Sequence, residues 1–173
     1  MKYRIAAAIL LLLLVAVVQS SILGYMEIFL IRPNITIVLM VIVALLRKPV
    51  ESATMGLLLG LTMDIMMGKT LGWYALLLFL ASIPISLINE KLYREKVLVL
   101  FSFAFSATVA IETLFFLILF LFKSYSYFPF IFMKVILPEA LYNSILIIPL
   151  FWPVSKLYAL LDMLDIRRNR VSS

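Results

Sequence analysis

The stretch GLLLGLTMDIMMGKTLG, residues 56–72, sets Gly56, Gly60, Asp64, Gly68 and Gly72 four residues apart in a run that is otherwise almost wholly apolar. Residues at this spacing share one face of an α-helix, so Gly56, Gly60 and Asp64 form a stripe. Glycine in such a stripe lets a second backbone come close, which is how helices associate where lipid removes the hydrophobic incentive. The face therefore points at protein, and Asp64 with it, because an ionised carboxylate turned toward lipid would cost at least about 2.5 kcal/mol. Three roles are open to Asp64 from sequence: an ion pair with Arg32 or a helix cap, a contact to a ligand or partner, or a proton relay. Gly68 and Gly72 loosen the turn that follows.

Outward from this stretch, the whole chain is apolar. Its 173 residues are 65% hydrophobic, and a mean hydropathy of +1.17 is far above that of a water-soluble domain. A membrane-spanning helix needs roughly 20 mostly apolar residues, and the charged residues cut the chain into six such pieces. We expect an all-α integral membrane protein of six transmembrane helices, at about residues 5–23, 33–46, 50–67, 71–88, 97–122 and 135–157, forming one polytopic domain over 1–173. The first piece follows MKYR and has the look of a secretory signal, but no small-x-small site closes it, so it reads as an anchor helix. The second is short: residues 33–46 reach only about 21 Å at 1.5 Å per residue, which calls for a tilted or extended span. Pro33 suits a first helical turn and puts Arg32 at the helix mouth. Pro84 predicts a kink in the fourth helix.

Cysteine and histidine are both absent, which removes disulfides, thiolate chemistry and Ser/His or Cys/His catalytic pairs. No HExxH or GxSG motif is present either, so no enzyme, metal site or cofactor is expected. The net charge of +6 reports orientation and anionic lipid before nucleic acid, which is not an expected partner. On the six-helix plan Arg32, Lys69, Lys123 and Lys134 fall on one side and the other eleven of the 15 basic residues on the opposite side. That asymmetry puts both termini in the cytoplasm. On the outer side, KSYSYFPFIFMK, residues 123–134, gathers five aromatics around Pro129 and reads as a membrane-hugging loop or a partner-docking strip. On the inner side, Glu90 with Arg94 and Lys91 with Glu95 make four-residue pairs that solvate a helix end.

Two more carboxylates lie deep. Glu112 sits near mid-membrane in the fifth helix, and Glu139 lies one turn inside the sixth, with Asn143 on the same face. Together with Arg32, Asn34 and Asp64 they form the candidate partner- or ligand-binding set. Two explanations stand level: a polar cavity open to the outside, or separately satisfied interhelical hydrogen bonds.

Residues 32–78, RPNITIVLMVIVALLRKPVESATMGLLLGLTMDIMMGKTLGWYALLL, resemble the rod shape-determining protein MreD family. The resemblance rests on Arg32-Pro33-Asn34, on the Gly56-x3-Gly60-x3-Asp64-x3-Gly68 series and on Leu71-Gly72-x-Tyr74-Ala75-Leu76. PEALYNSILIIPLFWPV, residues 138–154, is similar to the family's last helix. Met67 departs from a small polar residue more usual before the glycine. The resemblance implies a non-enzymatic component of the bacterial cell-elongation machinery in the inner membrane. Its implied partners are a bitopic MreC-like protein and, through it, MreB filaments, RodA and a class B penicillin-binding protein in lateral peptidoglycan synthesis. It also implies a fold similar to the substrate-binding S components of energy-coupling factor transporters, and with it an alternative function as a vitamin-like small-molecule binding subunit.

Overall fold

Asn34 starts the helix on which the rest of the molecule is hung. Its side-chain oxygen accepts from the Ile37 N–H at 3.4 Å, the usual duty of an N-cap residue, and the run Ile35–Leu46 that follows is α2. Every residue from Ile35 to Leu45 is buried. A helix that is apolar all round belongs inside a protein, and α2 packs against α3, α4, α5 and α7. This resolves the short second span: at 12 residues, about 18 Å long, α2 is an inner strut wrapped by other helices.

The computed structural model describes residues 2–22, 31–68, 72–89, 96–123 and 128–171. Among these, α1 covers Lys2–Val17 and runs on as a π-helical turn, Val18–Ile22; α3 covers Pro49–Met67, α4 Trp73–Asn89 and α5 Val97–Lys123. A short helix α6, Phe128–Ile131, passes through a π-helical stretch, Phe132–Ile136, into α7, Leu137–Val171. The last three pieces form one continuous rod, so the six expected helices correspond to α1 to α5 and this rod. No strand pairing builds a layer among the described residues. Pro84 lies inside a continuous α4.

The rod corrects one expectation. The aromatic tract was expected to be a loop, yet from Phe128 onward it is helical, because Pro129 occupies a first turn, where a missing N–H is no loss. Residues 124–127 of that tract lie outside the described residues, as do the charge pairs expected within residues 90–95, Lys69 and the end of the first expected span at Leu23.

α3 and α4 form an antiparallel hairpin whose contact is set by the two glycines. A Cβ on Gly56 would stand 2.7 Å from the Leu78 carbonyl oxygen, and one on Gly60 would stand 2.4 Å from the Ala75 Cα. Backbone meets backbone, and no side chain fits between. α3 ends at Gly68, whose φ of +61° is the left-handed conformation favoured by glycine, with its N–H bonded to the Asp64 carbonyl. The outward faces stay apolar: Ile65 on α3, Leu98 and Leu121 on α5, and Ile145 and Trp152 on α7 are all more than half exposed. α3, α5 and residues Pro129–Leu164 are long and apolar enough to cross a membrane, while Ala8–Ser21, Ile35–Leu46 and Trp73–Ile88 are shorter apolar helices.

Candidate functional site

At the Asn34 end of α2 the first N–H groups of that helix need partners from elsewhere, since no preceding turn supplies them. The Ile35 N–H donates to Gln19 Oε1 of the π-helical turn after α1 at 3.1 Å. The Asn34 N–H donates to Asn143 Oδ1 of α7 at 2.8 Å, and Asn143 Nδ2 donates in turn to Thr108 Oγ1 of α5 at 3.2 Å. Asn34 Nδ2 reaches Glu112 Oε1 of α5 at 3.5 Å, and the Tyr74 hydroxyl of α4 donates to the same oxygen. One polar knot thus ties the segment after α1 to α2, α4, α5 and α7.

Beside this knot opens a cavity of about 480 Å³, with Arg32, Asn34, Tyr74, Glu112 and Glu139 among its walls and Met63 and Gln19 alongside. Its volume falls in the range of small-molecule sites, roughly 300–1,000 Å³. Glu139 keeps intermediate solvent accessibility although protein packs closely around its carboxyl; a residue in a cavity wall has both properties. Glu112 and Glu139 lie within electrostatic reach of each other. Among the described residues, no hydrogen bond or ion pair reaches the Glu139 carboxylate.

Asp64 stands apart from the cavity. Its residue is 1% exposed, and its carboxylate accepts from the N–H groups of Gly72 at 2.9 Å, Tyr74 at 3.1 Å and Ala75 at 3.0 Å. These are the first N–H groups of α4. A helix normally covers them with the side chain of its own N-cap residue and with a Glu or Gln at the third position. Here the cap position is Gly72, which has no side chain, so Asp64 of α3 does both jobs across the hairpin. The negative charge also suits the positive end of the α4 dipole. Of the roles open to Asp64, capping is the one built; among the described residues no ion pair joins it to Arg32. Gly72, at φ +99°, takes a backbone conformation that brings its N–H to the carboxylate.

Of the candidate set, then, Arg32, Asn34, Glu112 and Glu139 share the cavity. Asn143 stands one layer behind it, and Asp64 braces the α3–α4 wall. Gly56 and Gly60 set the closeness of that wall, and Gly68 and Gly72 shape its turn. Three contributors were missed. Gln19 is a lone amide at the end of an apolar run and Thr108 one hydroxyl among several in α5, while Tyr74 stood out only through a sequence resemblance. The Arg47 end of α2 was also missed. There the Arg47 fork meets Asp162 Oδ1 at 3.0 Å through both terminal nitrogens and the Tyr158 carbonyl at 3.3 Å, and its guanidinium lies 4.5 Å from the Tyr158 ring centre.

The chain matches the family model of the rod shape-determining protein MreD over residues 1–161. It belongs to the MreD family. Searches of the curated proteins and of the solved structures found no match. The MreD family is one of membrane proteins with a shape-determining, structural role, not a known family of enzymes, so the role of this MreD-family chain lies in rod-shape determination. The match takes in the capped hairpin, the cavity and, at the Arg47 end, Arg47 and Tyr158, while Asp162 falls one residue beyond it.

Proposed function

We propose that this chain is a multi-pass protein of the bacterial inner membrane, both termini cytoplasmic, that acts as a non-enzymatic scaffold of the cell-elongation machinery. Its direct partner is a bitopic MreC-like protein, through which it serves MreB filaments, RodA and a class B penicillin-binding protein in lateral peptidoglycan synthesis. The observation that carries this reading is what the hairpin does with its buried carboxylate, Asp64. Asp64 accepts from three backbone N–H groups, which makes a stiff joint and occupies its carboxylate. Apolar outward faces support a lipid-facing bundle, and the distribution of basic residues supports the orientation. In it, the Asn34 end of α2 faces outside and the Arg47 end faces the cytoplasm.

The test is depletion in a rod-shaped host together with co-purification in mild detergent. Cells should round as the chain is lost, and a bitopic protein should co-purify in stoichiometric amount. Normal rods after full depletion overturn the proposal. Reporter fusions after Arg170 and within residues 123–134 should report opposite compartments.

A second reading has one observation in its favour, the cavity: an S-component-like bundle that binds a vitamin-like molecule for an energy-coupling factor transporter. Vitamin uptake that depends on this chain, with cell shape unchanged, would select it over the scaffold.

A further inference from the structure

The cavity at the Asn34 end presents more acceptors than its own residues use. Glu112 receives its two hydrogen bonds on one oxygen, Oε1. Glu139, enclosed by protein and facing the same space, receives none among the described residues. A carboxylate in a cavity wall that takes no protein donor or counter-charge is left to take them from what enters, so the arrangement favours a guest that brings several N–H donors and positive charge. A primary ammonium does this: it has three donors and one charge in a small volume. Two neighbouring protein groups narrow the class further. Tyr74 is the one aromatic residue in the cavity wall among the described residues, and those residues form no aromatic box of the kind that recognises quaternary ammonium. Among the described residues, no three His, Cys, Asp or Glu side chains come together as a metal-ligating group. Arg32 stands in the same wall, and guanidinium is well suited to phosphate or carboxylate.

We propose that this cavity binds a primary ammonium group carried a few bonds from an anionic group, the chemistry of phosphoethanolamine, with the ammonium between Glu112 and Glu139 and the anion toward Arg32. The site takes either the free headgroup or the same headgroup on a lipid, and it does so whether or not the chain serves as a scaffold.

The test uses the full chain in phosphatidylcholine nanodiscs, with thermal unfolding followed by intrinsic fluorescence. Phosphoethanolamine at a hundredfold its dissociation constant should raise the midpoint by about 5 °C, and phosphocholine should not. If soluble phosphoethanolamine is without effect but nanodiscs doped with phosphatidylethanolamine give the rise, the lipid is the source; either result supports the site. In both arms Glu139→Gln should abolish the rise while melting, without ligand, no lower than the unaltered chain. The proposal is overturned by no rise in either arm, by an equal rise with phosphocholine, or by a full rise in Glu139→Gln. It is overturned equally if that variant is strongly destabilised on its own, because Glu139 would then hold the fold and not a guest.

Discussion

The two ends of α2 use charge in opposite ways. At the Arg47 end one cation is met by several partners: Asp162 and the Tyr158 carbonyl take its fork, the Tyr158 ring covers its face, and Glu51 stands 3.6 Å from Nε. The carbonyl of the same residue accepts from the Ser52 and Ser86 hydroxyls at 3.3 and 2.5 Å, which answers the loose carbonyls of a helix terminus. At the Asn34 end, about 18 Å away, Asn143, Gln19 and the Asn34 side chain take the N–H groups of Asn34, Ile35 and Ile37, but Glu139 is left facing a cavity. The lesson is that burial of charge does two jobs in one bundle. Where protein partners meet the group it locks helices together, and where they stop short it is left to a receptacle.

The strongest test of this contrast lies in the wall that flanks the receptacle. Asp64→Ala strips three backbone donors of their acceptor in a buried setting, and we expect a loss of about 3–4 kcal/mol in folding stability. Asp64→Asn keeps one acceptor oxygen and should lose about half as much. Chemical unfolding in detergent measures both. An alanine variant as stable as the unaltered chain would show that the hairpin stands without its cap.

Gly60→Ala attacks the same wall through volume. The new Cβ would meet the Ala75 Cα at 2.4 Å, and backbone cannot rotate aside as a long side chain can, so α3 and α4 must separate at a cost of about 2–3 kcal/mol. Gly68→Ala makes an instructive control: nothing lies within 4 Å of its Cβ position, and its penalty comes only from a positive φ, about 1 kcal/mol. Equal losses for the two glycines would mean that close approach is not what Gly60 provides.

At the Arg47 end, Arg47→Ala should cost about 2 kcal/mol. Breaking a buried pair costs more than this, but Asp162 is 43% exposed at its side chain and water will take over part of its solvation. Arg47→Lys keeps the charge and loses the fork, so a loss of about 1 kcal/mol is expected from the same unfolding experiment. If lysine restores full stability, the geometry of the fork is irrelevant and only the charge counts.

Much of this was open to reading before any coordinates, for reasons that differ by residue. The helices show as apolar runs between charges, and the Gly56–Gly60–Asp64 stripe shows because four-residue spacing fixes a face. What Asp64 binds does not show, because its partners are backbone N–H groups that every residue possesses, and only the fold brings Gly72, Tyr74 and Ala75 to it. The Asn34–Asn143 contact spans 109 residues and the Arg47–Asp162 contact 115. A single sequence carries no local signal for pairings at that range. The shortness of α2 was legible, though it read as a tilted or extended span, because its encirclement depends on four other helices. Proline and aromatics in residues 123–134 suggested a membrane-hugging loop or a partner-docking strip, and from Phe128 a helical first turn accepts the same residues equally well.

The smallest expected effect is the most informative about the contrast between the ends. Glu139→Gln removes a charge that meets no hydrogen bond or ion pair among the described residues and that stands within electrostatic reach of Glu112. The amide has nearly the same shape, so packing is preserved, and two carboxyl groups no longer face each other across the cavity. Stability without ligand should therefore change by less than about 0.5 kcal/mol, or rise slightly, since surplus burial of charge is what the change relieves. Glu112→Gln differs in kind: its oxygen receives the Tyr74 hydroxyl and the Asn34 amide, and weakening two charge-assisted hydrogen bonds should cost about 1–2 kcal/mol. The same two residue types in one cavity are thus expected to split, one structural and one idle until something enters. A loss at Glu139 as large as that at Glu112 would make the Asn34 end a second lock like the Arg47 end, and the contrast would disappear.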